Sequence, residues 1–139
     1  MNSKIVELPR KLVNQLLHQA QVSAEQEVCG FISIKNNIYQ HYKVENVAEQ
    51  TDVQFLMEPK QQLAAMKTMR ESGEELFAIY HSHPSAPAIP SARDIEQATY
   101  PDAYYLIISL NTKGVLEMRC FKLLHDENII EIILEMTED

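Results

Sequence analysis

Two closely spaced histidines and the residues around them constrain the fold more than any other part of the sequence. Five consecutive apolar residues, Leu76–Tyr80, precede them and have the composition of a buried β-strand. Because strand side chains alternate between faces, His81 and His83 project on the same side of the strand end. A loop with three prolines then leads to Ser91 and Asp94, which are predicted to open a helix. A loop of this length can fold the first turn of the helix back over the strand end.

Hydrophobic periodicity predicts strands and helices along the rest of the chain. The expected strands are 5–8, 28–34, 38–47, 53–57, 76–83, 103–110, 115–123 and 128–135. The last of these also fits a helical stripe, but its isoleucine content favours a strand. Two main helices are expected after Pro9 and after Pro59, with a short one over 91–99, and turns at Asn36-Asn37 and 111–114. This pattern predicts one α/β (α+β) domain over residues 1–139, with a mixed sheet flanked by the helices.

Composition and charge exclude several classes of protein. The 139-residue chain has a net charge of −8, so we expect no nucleic-acid partner, which would need clustered Lys and Arg. No apolar run approaches the roughly 18–20 residues that span a bilayer, and no signal-peptide core follows the N-terminus, so we expect no membrane partner and a cytoplasmic location. Cys29 and Cys120 are expected to be reduced and buried, with a disulfide between them left open.

The residue types in the histidine stretch suit a catalytic metal ion. Imidazole and carboxylate are ordinary zinc ligands, and three protein ligands plus water characterise a catalytic site. His81, His83 and Asp94 supply three, and a base would still be needed to take the proton of an attacking water. Ser91 and Asp94 have a second explanation, because Ser-x-x-Asp at a helix start is also a capping box. The residues alone leave both interpretations open.

The spacing of these residues resembles the JAMM signature of the JAB1/MPN/Mov34 metalloproteases. That signature is His-x-His, seven residues, then Ser-x-x-Asp, and residues 84–90 separate His83 from Ser91 in this register. The family's upstream acid is matched by Glu27, in a segment similar to Glu-x-x-Gly that ends at Gly30. The resemblance extends over about Val6–Leu123 and implies an MPN fold, similar to cytidine deaminases.

The resemblance also implies a role for each residue. His81, His83 and Asp94 would bind Zn²⁺, and Glu27 would act as general base and pass the proton to the leaving amine. Ser91 would stabilise the oxyanion, provided that its hydroxyl is not used for capping. Glu25 is a rival for the base, since it lies two residues away on the same face of an extended segment.

The family hydrolyses amide or isopeptide bonds after ubiquitin-like tails. This chain has no room for the two segments with which eukaryotic members grip ubiquitin, so it resembles the compact prokaryotic members. The resemblance therefore implies a small ubiquitin-like or sulfur-carrier protein as partner, cleaved at its C-terminal Gly-Gly tail. Cysteine and protein lysine remain alternative leaving groups, and the oligomeric state, the carrier and the native metal stay open. The alternative functions are a non-catalytic MPN scaffold and a zinc peptidase for short unmodified peptides.

Overall fold

A mixed sheet with helices on both faces forms the centre of the molecule. The computed structural model describes residues 5–111, 116–124 and 128–138. Within them, the strands are β1 (Ile5–Pro9), β2 (Cys29–Lys35), β3 (Ile38–Val44), β4 (Glu75–His83), β5 (Tyr104–Ser109), β6 (Glu117–Leu123) and β7 (Ile129–Thr137). The helices are α1 (Arg10–Val22), α2 (Pro59–Glu71) and α3 (Ala92–Glu96). The seven described strands lie in the order β1-β7-β6-β5-β4-β2-β3, with β1/β7 and β4/β5 parallel and the other pairs antiparallel. The expected mixed sheet with two main helices and one short helix is confirmed.

β4 lies between β2 and β5, and its side chains divide between two apolar clusters. Ala78 and Tyr80 belong to the cluster under α1, whereas Ile79 belongs to the cluster under α2. Because alternate residues share a face, His81 and His83 lie on the α2 face at the carboxyl end of β4. Burial of β4 on both faces holds the two histidines on a rigid element.

Several predicted boundaries agree with the structure. The turn between β2 and β3 has positive φ at Asn36 (52°) and Asn37 (64°), as a two-residue hairpin turn requires. The isoleucine-rich segment near the C-terminus forms β7, so its prediction as a strand is confirmed.

Cys29 and Cys120 are both buried and unpaired with each other, as expected. The predicted turn at 111–114 falls largely outside the described residues.

The predicted strand over 53–57 is wrong. Residues 50–53 form a turn in which the Val53 amide donates to the Gln50 carbonyl at 3.2 Å, and only Met57 makes a bridge, to Asn46. The apolar residues of this segment serve to pack it against the core and not to form a strand, since Phe55 lies against the cluster under α2. The structure also ends β3 at Val44 and limits α3 to Ala92–Glu96, which makes both shorter than predicted.

Candidate active site

Three side chains converge on one point at the carboxyl end of β4. His81 Nε2 lies 3.1 Å from His83 Nε2, and Asp94 Oδ2 lies 3.0 Å from the first and 3.1 Å from the second. The side chains are 1%, 2% and 7% exposed, so the three atoms meet away from bulk water. Two ring nitrogens and a carboxylate oxygen in such a triangle form a donor set that suits a divalent cation.

A second interaction of His83 determines which of its nitrogens carries a lone pair. His83 Nδ1 lies 2.8 Å from the Pro87 carbonyl oxygen, which can only accept a hydrogen bond, so Nδ1 carries the proton. In the neutral ring, Nε2 is then free to act as a ligand, as in most metal-binding histidines. The proline-containing loop therefore orients the ring.

The ring of Phe55 supports the other histidine. Its centroid lies 4.5 Å from that of His81 with 26° between the ring planes, which is a stacked arrangement. Among the described residues, His81 Nδ1 is buried without a hydrogen-bond partner. The His81 ring is therefore oriented by its packing against Phe55, without help from a hydrogen bond at Nδ1.

The start of α3 forms a capping box and also brings Asp94 to the histidines. The Ser91 amide donates to Asp94 Oδ2 at 2.9 Å, and the Asp94 amide donates to Ser91 Oγ at 3.1 Å, which completes a capping box. The same Oδ2 also lies against His81 and His83. The capping box therefore aims the carboxylate at the histidines, and the Ser91 hydroxyl proton is left free to donate.

Glu27 faces the histidine pair from the segment before β2. One ligand atom from each of Glu27, His81, His83 and Asp94 lies within 4.8 Å of the others. Glu27 is 4% exposed, and its Oε1 is buried without a partner among the described residues. Burial raises the pKa of the Glu27 carboxyl to about 8, and the carboxylates of Asp94 and Asp52 add to this, against an opposing effect of His83. An unpartnered, proton-holding carboxyl beside a donor triangle is suited to proton transfer.

The backbone of Glu27 is held on both sides. Its amide donates to the Thr51 carbonyl at 2.7 Å, and its carbonyl accepts from Asn46 Nδ2 at 2.9 Å. Ser82 Oγ accepts from the Val28 amide at 2.9 Å, from the opposite face of β4. Asn46 could not be found from the sequence, which carries no signal for this contact.

Glu25, the rival for the base, lies outside this cluster. Its side chain is exposed, and only Glu27 of the two carboxylates belongs to the described group of convergent donors.

The close approach of β2 to its neighbours explains the glycine three residues after Glu27. A Cβ at Gly30 would lie 2.7 Å from the Tyr80 ring and would clash with the Tyr42 carbonyl oxygen.

The other carboxylate behaves oppositely to Glu27. Burial would raise the pKa of Asp94, but hydrogen bonds to His81 and His83 outweigh it and hold the pKa far below its ordinary value. For His83, burial lowers the pKa, yet the hydrogen bonds to Asp94 and the Pro87 carbonyl raise it overall. Without a bound cation, the Asp94 carboxylate therefore stays ionised and favours the protonated form of the His83 ring.

The buried cysteines are poor nucleophiles. Burial raises the pKa of the Cys29 thiol to about 12 and that of the Cys120 thiol to about 12, which suppresses the thiolate. The chemistry of the site therefore belongs to the histidine and carboxylate cluster.

A small cavity opens beside this cluster. It has a volume of about 70 Å³ and is lined by Glu27, His83 and Ser91 together with Asp52, Val53 and 84–86. A wider groove of about 630 Å³ also reaches Glu27, but its described lining includes none of His81, His83 and Asp94. Of these two spaces, only the small cavity is therefore lined by a member of the donor triangle.

The chain belongs to the family described as prokaryotic homologs of the JAB domain, which it matches over residues 9–123. The resemblance to the JAMM metalloproteases is thereby confirmed.

Three curated relatives carry names that state an activity. The chain is 29% identical over 130 residues to a probable TtuB-protein conjugate cleaving protease of Thermus thermophilus, covering 94% of this chain and 84% of that protein. It is 29% identical over 115 residues to the CysO-cysteine peptidase of Mycobacterium tuberculosis, covering 81% of this chain and 78% of that protein. It is 33% identical over 86 residues to a desampylase of Haloferax volcanii, covering 60% of this chain and 62% of that protein. These names confirm the prediction of a JAMM-type peptidase class for the family to which the chain belongs.

Solved structures agree with the fold. A solution structure of a protein from Desulfitobacterium hafniense superimposes with a TM-score of 0.82 at 29% identity, covering 96% of this chain and 94% of that one. A structure titled as a JAMM metalloprotease-like zinc site in the proteasome and signalosome superimposes with a TM-score of 0.59 at 18% identity, covering 97% of this chain and 100% of that one. The expected MPN-type fold is confirmed. No helix in the described parts of the chain is long and apolar enough to cross a membrane.

Proposed function

We propose that the chain is a zinc-dependent hydrolase that cleaves an amide or isopeptide bond at the C-terminal Gly-Gly tail of a small ubiquitin-like or sulfur-carrier protein. The observation that carries this proposal is the convergence of Glu27, His81, His83 and Asp94, whose donor atoms lie within 4.8 Å of one another. Two imidazoles and one carboxylate suit zinc better than magnesium or calcium, which prefer oxygen-rich sites.

The proposed zinc ligands are His81, His83 and Asp94. Their three atoms, 3.0–3.1 Å apart, and the Nδ1 proton of His83 fit a cation held by lone pairs on Nε2 and Oδ2. When bound, zinc would supply Lewis-acid activation of water and of the scissile carbonyl. A cation here would also favour the charged form of Glu27, which is otherwise protonated below about pH 8.

Glu27 is the proposed general base and acid. It takes one proton from the attacking water as the new C–O bond forms at the scissile carbonyl. It then gives that proton to the leaving nitrogen as the C–N bond breaks, so that a carboxylic acid and a free amine result. Burial of Glu27, which is 4% exposed, keeps competing water away from this proton transfer.

Ser91 is the proposed oxyanion donor. Its Oγ accepts from the Asp94 amide, and a hydroxyl that accepts in this way can still donate its own proton. Ser91 lines the same small cavity as Glu27 and His83, which would place its hydroxyl beside the reacting carbonyl. A preorganised donor there stabilises the charge that develops on the carbonyl oxygen.

The substrate class is supported by the names of relatives. The proteins from Thermus and Haloferax are named for cleaving TtuB conjugates and for desampylation, and the mycobacterial one for CysO-cysteine. The complete set of candidate ligands argues against a non-catalytic scaffold.

We also propose that residues 1–139 form one domain. The proposed location is cytoplasmic, in keeping with two buried free cysteines.

The test combines metal analysis with hydrolysis of a conjugate. The purified protein should bind about one zinc ion and release a Gly-Gly-terminated carrier protein from its adduct, whereas Glu27→Gln should bind zinc but release the carrier at least about 100-fold more slowly. Absence of zinc binding, or equal activity in Glu27→Gln, would reject the proposal. Cleavage of short unmodified peptides at the same rate would favour the general peptidase instead.

A further inference from the structure

The cavity beside Glu27 is acidic, and the proposed zinc ligand His83 also lines it. Its described lining includes the carboxylates of Glu27 and Asp52 and no lysine or arginine. Asp52 follows Thr51, whose carbonyl accepts from the Glu27 amide at 2.7 Å, and it lies in the turn closed by the hydrogen bond from Val53 to Gln50. Asp52 is therefore held next to Glu27 by backbone contacts, and its charge acts on the Glu27 carboxyl.

The proton path determines which part of a substrate meets this acidic wall. Glu27 must deliver a proton to the leaving nitrogen, so the leaving group lies on the Glu27 side of the scissile bond. Asp52 lines the same cavity as Glu27, and the residue before it accepts the hydrogen bond of the Glu27 amide. The first atoms beyond the leaving nitrogen are therefore close to the negative charge of Asp52, which lies at the exposed rim of the cavity.

The two alternative leaving groups differ in charge at this position. A free amino acid, such as cysteine, carries its carboxylate one carbon away from the leaving nitrogen. A lysine side chain instead places an uncharged methylene chain there, with its backbone several bonds distant. A carboxylate would lie near Asp52 without a described lysine or arginine of the cavity to neutralise it.

We propose that Asp52 is a specificity-determining residue that disfavours leaving groups with a carboxylate next to the scissile nitrogen. The physiological substrate is then an isopeptide between a carrier tail and a lysine side chain, and not a carrier–amino-acid adduct. The inference rests on the proposed function, because it assigns the leaving-group side from the role of Glu27.

The wide groove that also reaches Glu27 supplies the competing arrangement. Lys43 is among the residues that line it, so a carboxylate entering the groove would meet one positive charge, although Glu45 also lines it. Burial and the charge of Lys43 lower the pKa of His41, so this ring adds no charge near pH 7. The described lining of that groove includes none of the proposed metal ligands, whereas the small cavity includes His83 and Ser91. The geometry therefore favours the acidic cavity, and Lys43 becomes the internal control.

The test uses one Gly-Gly-terminated carrier protein of the same organism with three leaving groups, under reducing conditions. These are cysteine with a free carboxylate, cysteine amide, and Nα-acetyl-lysine amide joined through its side chain. For the zinc-loaded wild type we expect kcat/KM for the free carboxylate to be lower than for cysteine amide by about tenfold, and this ratio to shrink as salt screens the charge.

Asp52→Asn should raise kcat/KM for the free-carboxylate substrate by about threefold or more and leave the two amides within about twofold. Lys43→Gln should leave all three substrates unchanged. Equal cleavage of the acid and the amide by the wild type, or an equal effect of Asp52→Asn on both, would overturn the inference. A selective loss of the acid substrate in Lys43→Gln would overturn it in favour of the groove.

Failure of the proposed function has a different signature. In that case none of the three conjugates is cleaved, or Glu27→Gln cleaves them as well as the wild type, and the inference falls with it. If Glu27→Gln is inactive and the acid is cleaved as fast as the amide, only the role of Asp52 is wrong.

Discussion

Two buried carboxyl groups, Asp94 at the start of α3 and Glu27 before β2, face the same pair of histidines and have opposite properties. Asp94 Oδ2 contacts both imidazoles and the Ser91 amide, and these contacts hold the pKa far below its ordinary value. Glu27 Oε1 has no described partner, and burial raises the pKa of its carboxyl to about 8.

The difference shows how one site can divide two tasks between similar side chains. A carboxylate surrounded by hydrogen-bond donors keeps its charge and is suited to hold a cation. A carboxyl with an unsatisfied buried oxygen exchanges its proton readily near neutral pH, which suits a base. The two carboxyl groups have the same chemistry. They differ because the surrounding chain gives them different hydrogen-bond partners. The predictions below change one side of this contrast at a time.

Removal of the Asp94 charge should have the largest effect. Asp94→Asn keeps the size of the side chain but weakens its bond to zinc, so we expect a loss of zinc affinity and activity on the order of 10³-fold or more. Isothermal titration and conjugate cleavage measure the two effects. Retention of stoichiometric zinc at micromolar concentration with full activity would remove Asp94 from the proposed ligands.

Removal of the Glu27 charge should reduce activity without releasing the metal. For Glu27→Gln we expect kcat to fall by about 10²–10⁴-fold, because proton transfer is lost while the three ligands remain. Bound zinc, measured by mass spectrometry under native conditions, should match the wild type. The exposed Glu25→Gln is the matched control and should retain wild-type kcat. A reversal of these two results would make Glu25 the base.

Substitution of Ser91 separates its two roles. Ser91→Ala should lower kcat by about 10²-fold through loss of the oxyanion donor, and should also cost about 1 kcal/mol of stability through loss of the cap. Ser91→Asp should restore the cap and the stability without restoring kcat, because an ionised carboxylate accepts the amide hydrogen bond but has no proton to donate.

The cap of α2 is the control for this comparison. Glu58 Oε1 accepts from the Gln61 amide at 2.8 Å, and Glu58→Ala should cost a similar stability with no change in kcat. Full recovery of kcat in Ser91→Asp would mean that Ser91 acts only as a helix cap.

The pH dependence of stability in the zinc-free protein should show the smallest effect. The pKa of Glu27 is about 8 in the folded chain, against an ordinary value of 4.5, so the folded state binds a proton that the unfolded state has released between these values. Stability therefore falls as pH rises from about 4.5 to 8, and Glu27→Gln removes this fall.

We expect Glu27→Gln without zinc to be more stable than the wild type by about 1–2 kcal/mol at pH 8, and by less at pH 5. Urea unfolding at the two pH values, in the presence of a chelator, measures this. A parallel pH dependence in both proteins would show that Glu27 is ionised in the zinc-free fold.

The histidine pair could be predicted because its determinants are local. A run of five apolar residues predicts a buried strand, and the period of two then places His81 and His83 on one face. Ser91 and Asp94 were ambiguous because a capping box accounts for their spacing, and the structure shows that the box and the approach to the histidines coexist. The segment 53–57 was predicted wrongly because apolar composition does not distinguish a packed loop from a strand.

By itself, the sequence determined the strand end that carries His81 and His83, the spacing to Asp94, and the resemblance that pointed to Glu27. Only the tertiary structure decided that Glu27 is buried against the histidines while Glu25 is exposed. It also decided that Asn46, Phe55 and Asp52 lie at the site. Periodicity and spacing are properties of neighbouring residues, whereas burial and partner atoms arise only when segments distant along the chain come into contact.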